Sequence, residues 1–279
     1  MAYQRILTIQ DISCLGQCSM TVALPILSAC GHEVCILPTK VLSTHTGGFQ
    51  DPYVADLTES VPHIQDHWRR EGIAFDVIYT GYLGSRRAIS HVSRLADTML
   101  APGGMLIVDP AMADHGKLYK GFDEDYARDM AALCARADVI LPNVTEAAML
   151  AGLPYRENPD REYILQLLEN LGNRNVVLTG AGTEPETTAV AIKEKTEISL
   201  YRHKKIPQNY HGTGDVFAAA LTGALASRKN LANAAGIAAE FTLKAIENTY
   251  RAPAHWYGVK FETALPELIR LLNDKTAVD

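Results

Sequence analysis

The chain of 279 residues carries Gly212-Thr213-Gly214-Asp215 directly before Val216-Phe217-Ala218-Ala219-Ala220, an order suited to handling an anion. Two glycines let a backbone come close to a ligand, and a helix that follows turns its free N–H groups toward negative charge. A phosphoryl group in transfer fits, since its transition state spreads charge over the equatorial oxygens. Asp215 at the helix mouth is placed to accept the proton of an attacking hydroxyl. The structural alternative is a Gly-rich turn with Asp215 as helix N-cap, which a lone GxGD does not exclude. The small residues after it (Ala218, Ala219, Ala220, Gly223, Ala224) mark close packing but no particular ligand.

The elements that must position these residues read as alternating strands and helices, the pattern of βα units around a mostly parallel sheet. Strands are predicted at Ile6–Ile9, Val34–Leu37, Asp76–Tyr79, Met105–Val108, Val139–Leu141 and Val176–Leu178. Helical stretches lie at about 19–30, 56–70, 85–100, 123–137 and 161–171, with a short one after Pro142-Asn143. Ala101-Pro102-Gly103-Gly104 reads as a turn. Thr187–Ile192 and Glu197–Tyr201 read as an antiparallel pair, and the rest is helical at about 216–227, 231–248 and 262–272. No linker, repeat or low-complexity stretch divides the chain, so residues 1–279 are expected to form a single domain.

In open α/β sheets ligands collect at the carboxyl ends of the strands. Asp11, Asp109-Pro110, Asn143 to Glu146 and Thr179-Gly180 follow four of the predicted strands. Each alone has a bland alternative as helix cap or turn former. Their joint appearance at successive strand ends favours a site.

Composition narrows the class. With 47% hydrophobic residues the chain is not disordered, and a net charge of −6 offers no broad basic footprint for nucleic acid. Ile6–Ile9 is too short for a signal-peptide core, and no apolar run approaches the roughly 20 residues of a bilayer span. Five cysteines (Cys14, Cys18, Cys30, Cys35, Cys134) without a secretory signal are expected to be reduced thiols in a cytoplasm. Cys14 and Cys18 read as small residues of a packed turn. His63 and His67 lack the Glu of HExxH and read as surface residues. There is no GxxxxGK[ST] loop, no GxGxxG after a strand, and no HRD or DFG segment, so any handling of ATP uses another architecture.

His211-Gly212-Thr213-Gly214-Asp215-Val216-Phe217 resembles the catalytic signature of ribokinase-like kinases. Asp109-Pro110-Ala111-Met112-Ala113-Asp114-His115-Gly116-Lys117-Leu118-Tyr119 is similar to the DPxxxDxGxxY segment of the pyridoxal kinase branch. Leu141-Pro142-Asn143-Val144-Thr145-Glu146 resembles its PNxxE element. Ser43-Thr44-His45-Thr46-Gly47 and Thr80-Gly81-Tyr82-Leu83-Gly84 match two further segments. The matches run in order from Ile6 to about Ala220.

The resemblance implies a ribokinase-like three-layer sandwich: a central, mostly parallel sheet with helices on both faces and an antiparallel edge. It implies a kinase using ATP and Mg²⁺ on a vitamin B6 vitamer, typically a homodimer. Asp215 would be the base, and Gly212, Thr213 and Gly214 would hold the transferred phosphoryl group. Asp109 and Glu146 would arrange Mg²⁺ near the nucleotide phosphates through ligands or waters. Asp114 would lie on a flap, residues 112–119, closing over ATP in place of a separate lid domain. Asn143 would face the phosphates, Thr179 and Gly180 would line the nucleotide side, and Thr46 and Tyr82 would contact the pyridine.

Two departures stand out. The family usually has Ser where this chain has Asp11, in the first substrate-contacting turn. A carboxylate there either pairs with a protonated ring nitrogen or amino substituent, or turns away and caps the next segment. Leu141 replaces a Thr that contributes to a monovalent-cation site in some members, leaving K⁺ only backbone carbonyls or other residues. A hydroxymethylpyrimidine kinase is the nearest alternative. A sugar kinase fits less well at this length, and a catalytically silent vitamer-binding protein need not keep base and anion hole together.

Overall fold

The computed structural model describes residues 3–172, 174–184, 186–208, 210–250, 252 and 254–274. Strand β1 (Arg5–Ser13) leads through helix α1 (Met20–Ala29) to β2 (Glu33–Leu42) and the short β3 (Val54–Asp56). Helix α2 (Val61–Arg70), β4 (Phe75–Thr80), α3 (Arg86–Met99) and β5 (Leu100–Val108) follow. A small hairpin of β6 (Ala113–Asp114) and β7 (Lys117–Leu118) precedes α4 (Glu124–Cys134), β8 (Val139–Ile140) and α5 (Val144–Ala151). Then come α6 (Arg161–Asn170), β9 (Asn175–Leu178), β10 (Thr187–Glu194) and β11 (Glu197–Lys204). The chain closes with α7 (Thr213–Ala226), α8 (Leu231–Tyr250) and α9 (Leu265–Asn273).

One nine-stranded sheet has the order β11-β10-β9-β8-β5-β4-β1-β2-β3. Strands β2, β1, β4, β5, β8 and β9 are parallel. The expected antiparallel edge is present as β10 and β11, and β3 adds a second one at the opposite side. Alternation along each strand builds two cores. Ile6, Val77, Ile107, Val139 and Val177 face the cluster of α1, α7, α8 and α9. Their neighbours Leu7, Ile78, Leu106, Ile140 and Val176 join the cluster of α3 to α6. A parallel sheet with both faces apolar has to be covered on both sides, which gives the three layers.

Strand order reverses between β1 and β4: the chain runs outward through β2, then returns to the other flank of β1. That switch point opens a crevice at the strands' carboxyl ends, where ligands of such sheets bind.

Four expectations need correction. Strand β1 continues past Ile9 to Ser13, so Asp11 lies within the strand and not in a following turn; pairing of Ile12 and Ser13 with Val41 and Leu42 keeps it extended. The 101–104 turn is absorbed into β5, which pairs at Leu100 with Phe75 and at Met105 with Val77, bulging between. Helix α2 starts at Val61, because Val54–Asp56 pairs with β2 and residues 58–60 form a 3₁₀ turn. Helix α7 starts at Thr213 and not at Val216, because Gly212 takes a left-handed φ of 79° and becomes the N-cap. Asp215 therefore sits inside the first turn, and the N-cap alternative for it falls.

Candidate active site

The N-terminus of α7 has no side-chain cap, a setting suited to an anion. With Gly212 as N-cap, the first-turn N–H groups are left for a ligand. A Cβ on Gly212 would run into the Gln17 carbonyl, so backbone packs on backbone there. Gly214 is the opposite case: a Cβ there would meet nothing within 4 Å. The carboxyl of Asp215 is pushed up to about 7 by burial and then by the charge of Asp11, while the Ser19 amide pulls it down. A group with that affinity is poised to gain and lose a proton near neutrality.

The second half is built on α5. Asn143 is its N-cap, accepting from the Glu146 amide at 2.9 Å, while Glu146 Oε2 accepts from the Asn143 amide at 3.0 Å. The Glu146 Oε1 accepts from the Met112 amide at 2.8 Å. Asn143 Nδ2 donates to the Ala113 carbonyl at 2.8 Å, and Thr145 Oγ1 accepts from the Gly116 amide at 3.0 Å. These contacts root the β6–β7 hairpin, which carries Asp114 exposed beside His115. Burial pushes Glu146 up to about 7 against its three amide donors. Asp109, fixed by its Ala111 contact at 3.2 Å, is raised by burial and then by Glu146 and Asp215.

A groove of about 1220 Å³ joins both halves. Asp109, Asp114, Asn143, Glu146, Thr179, Gly180 and Gly212 to Asp215 all line it. Thr179 is held by its amide on the Pro142 carbonyl at 3.0 Å. Asp11, Thr46 and Tyr82 are not part of its wall. Asp11 lies near the end of β1 and Tyr82 follows β4, the two strands of the switch point, and the charge of Asp11 acts on both Tyr82 and Asp215. Tyr82 stacks on Phe122 with ring centres 5.4 Å apart. Asp215, in the wall of the groove, is thus within the field of Asp11 at the switch point. Thr46 is exposed on the loop after β2, and no hydrogen bond fixes its side chain among the described residues.

No group of three His, Cys, Asp or Glu able to hold a metal occurs among the described residues, and Cys14 and Cys18 are free thiols. His63 and His67 are exposed, as the missing Glu of HExxH suggested. No described helix is long and apolar enough to cross a membrane.

The phosphomethylpyrimidine kinase family model matches residues 28–259. The chain belongs to that family. Its fold superposes on the crystal structure of pyridoxal kinase from Lactobacillus plantarum with a TM-score of 0.89 at 34% identity, over 97% of this chain and 98% of that one. A Bacteroides thetaiotaomicron protein assigned to the phosphomethylpyrimidine kinases, crystallised with pyridoxal, gives 0.88 at 34% identity, over 96% of both chains. The hydroxymethylpyrimidine/phosphomethylpyrimidine kinase of Bacillus subtilis is 32% identical over 182 residues, 64% of this chain and 66% of that one. The architecture is ribokinase-like, as the resemblance implied.

Several residues of this family member went unread in the sequence. Ser19 holds Asp215 through its amide. His45 donates from Nε2 to the Tyr257 carbonyl at 2.8 Å and accepts the Gly47 amide on Nδ1 at 3.1 Å. Its ring lies 5.5 Å from that of His211, and Phe49 packs on Trp256 at 4.7 Å. The 43–49 loop is therefore braced by a segment some two hundred residues later. The only signal was glycine: a Cβ at Gly47 would meet His211, and one at Gly48 would meet Trp256.

Proposed function

We propose that the protein transfers the γ-phosphoryl group of ATP to the 5′-hydroxymethyl group of a vitamin B6 vitamer: pyridoxal, pyridoxine or pyridoxamine. The observation that carries this is the place of Asp215, beside the Gly212–Gly214 backbone in the wall of a nucleotide-sized groove, where the charge of Asp11 from the strand-order switch point reaches it. The Lactobacillus plantarum pyridoxal kinase and the Bacteroides thetaiotaomicron protein crystallised with pyridoxal support the same acceptor class.

Asp215 takes the proton of the 5′-hydroxyl. The oxygen then forms its bond to the γ-phosphorus as the bond to the β–γ bridging oxygen breaks and ADP leaves. Amides of Gly212, Thr213 and Gly214 receive the charge carried by the equatorial oxygens. Asn143, Thr179 and Gly180 line the phosphate and nucleotide side, and Asp114 sits on the hairpin that would exclude water. Tyr82 offers a ring face to the pyridine, and Thr46 reaches it from the loop after β2.

The donor set fits Mg²⁺ carried in on the nucleotide, since that ion usually takes one or two carboxylates and completes its shell with phosphates and waters. Asp109 would hold it, and Glu146, with both oxygens on backbone amides, would act through water. The ion would neutralise the β- and γ-phosphates. This reading takes residues 1–279 as one domain without a separate lid, working as a homodimer in the cytoplasm; light scattering and cell fractionation test the last two.

An ADP-release assay across the vitamers, the hydroxymethyl aminopyrimidine and simple sugars, with and without K⁺, tests the proposal. Preferred turnover of a vitamer supports it. The family match and the Bacillus subtilis relative favour the pyrimidine alcohol as the second reading, and preference for that substrate would replace the first. Tight vitamer binding without ADP release would mark a silent binding protein.

A further inference from the structure

The 14–19 loop, between β1 and α1, backs the start of α7 at two points. The Gln17 carbonyl fills the space that a Cβ on Gly212 would take, and the Ser19 amide donates to Asp215. Gly212 holds its left-handed φ of 79° without a side-chain cap. The loop backbone, not a capping side chain, therefore stands against the helix start.

The inner end of the loop is tied locally. Thr21 Oγ1 donates to the Cys18 carbonyl at 2.8 Å, and Ser19 bridges to Ile12. The outer end is tied across the fold, and Gln17 makes the tie. Its amide donates to the Tyr257 carbonyl at 3.4 Å, and its Oε1 accepts from His255 Nε2 at 3.0 Å. Its Nε2 donates to Glu262 Oε1 at 3.2 Å. Both ends of one side-chain amide are thus spent on partners 238 and 245 residues away in the chain. Gly258 packs directly on Gln17: a Cβ there would stand 2.7 Å from both the Cβ and the Oε1 of Gln17. The Tyr257 carbonyl also takes His45 Nε2 at 2.8 Å, so the same segment braces the neighbouring loop. Hydrogen bonds at a partly exposed side chain add modestly to stability. Shifting a catalytic group by an ångström costs far more in rate.

We propose that Gln17 is a positioning residue for phosphoryl transfer. Anchored on the 255–262 segment, it holds the 14–19 loop against α7 and so fixes where the Gly212–Gly214 amides and the Asp215 carboxylate stand. The inference rests on the phosphoryl-transfer reading above and adds to it a residue that is not in the groove wall.

The test compares wild type with Gln17→Ala, Gln17→Met and Gly258→Ala. Gln17→Met keeps the length of the side chain and removes its hydrogen bonds. Gly258→Ala leaves Gln17 chemically intact and pushes it from behind. Each is measured for melting temperature, for kcat and KM with ATP and pyridoxine, and for calorimetric binding of Mg²⁺–ADP with and without aluminium fluoride, a mimic of the transferred phosphoryl group. All three should lose about 10-fold or more in kcat, with KM for ATP and ADP affinity within about 3-fold of wild type. The extra affinity conferred by aluminium fluoride should shrink alongside kcat. The double variant Gln17→Ala/Gly258→Ala should lose no more than Gln17→Ala, because both changes act on one contact. Wild-type kcat in Gln17→Met, or a loss that falls equally on ADP affinity, overturns the proposal. If wild type does not phosphorylate pyridoxine, the vitamer reading itself fails, and the aluminium fluoride comparison still decides the role of Gln17.

Discussion

Glu146 accepts the Met112 amide on Oε1 at 2.8 Å, so the carboxylate that closes the first turn of α5 also carries the root of the β6–β7 hairpin. One buried side chain thus sets two walls of the groove at once. Changing Glu146→Ala leaves the Met112 and Asn143 amides without their acceptor, at a cost of roughly 1–3 kcal/mol each. The melting temperature should fall and KM for ATP should rise. Unchanged melting and KM would show that the hairpin is held by Asn143 and Thr145 alone.

Asp215→Asn should retain the fold and ATP binding while kcat drops by about 10²-fold or more, since only the base is lost. Turnover near the wild-type rate would remove Asp215 from that role.

The acidity of Asp215 sets the pH profile. With its folded value near 7, the ionised base accumulates as pH rises, so kcat/KM should climb through about pH 7 and then level. A flat profile from pH 5.5 to 8.5, taken as a roughly neutral range, would be incompatible with this base.

The same shift acts on stability. The folded value lies above the ordinary 3.8, so the protonated carboxyl adds stability at low pH, and this is lost as pH rises through about 7. Asp215→Asn cannot ionise. Its melting temperature relative to wild type should therefore increase from pH 5 to pH 8, since the loss in wild type runs from about pH 3.8 to about 7 and most of it falls between these two points. A constant difference would mean that Asp215 titrates alike in folded and unfolded chains.

Gly212 and Gly214 should separate folding from chemistry. Gly212→Ala forces a side chain onto the Gln17 carbonyl at a φ of 79°, so both melting temperature and activity should fall. Gly214→Ala meets no protein atom, so the fold should survive. Its methyl group would stand where the phosphoryl group passes, and kcat should drop at least ~10-fold. Equal thermal losses in the two variants would contradict the open face at Gly214.

Alternating apolar residues such as Ile6 and Leu7, or Val77 and Ile78, showed the layered α/β class, because a period of two with both faces apolar has few other solutions. Boundaries were less legible. Asp11 reads as a turn former, yet ladder pairing with β2 keeps it extended. Gly103 and Gly104 read as a turn, yet neighbouring strand pairs hold them inside β5 as a bulge. Local propensity is worth tenths of a kcal/mol to about one, and sheet pairing overrides it.

By itself the sequence determined the kinds of groups present: a carboxylate next to a glycine-rich helix start, carboxylates and amides at strand ends, and the order in which they occur. Which of them share a pocket was decided only by the tertiary structure. Strand order brought Asp11 and Tyr82 to neighbouring strands at the switch point although some seventy residues separate them, and the packing of α7 set Asp215 within the field of Asp11. Burial and mutual charge then fixed their proton affinities. Those depend on distance and dielectric, which the order of residues along the chain does not contain.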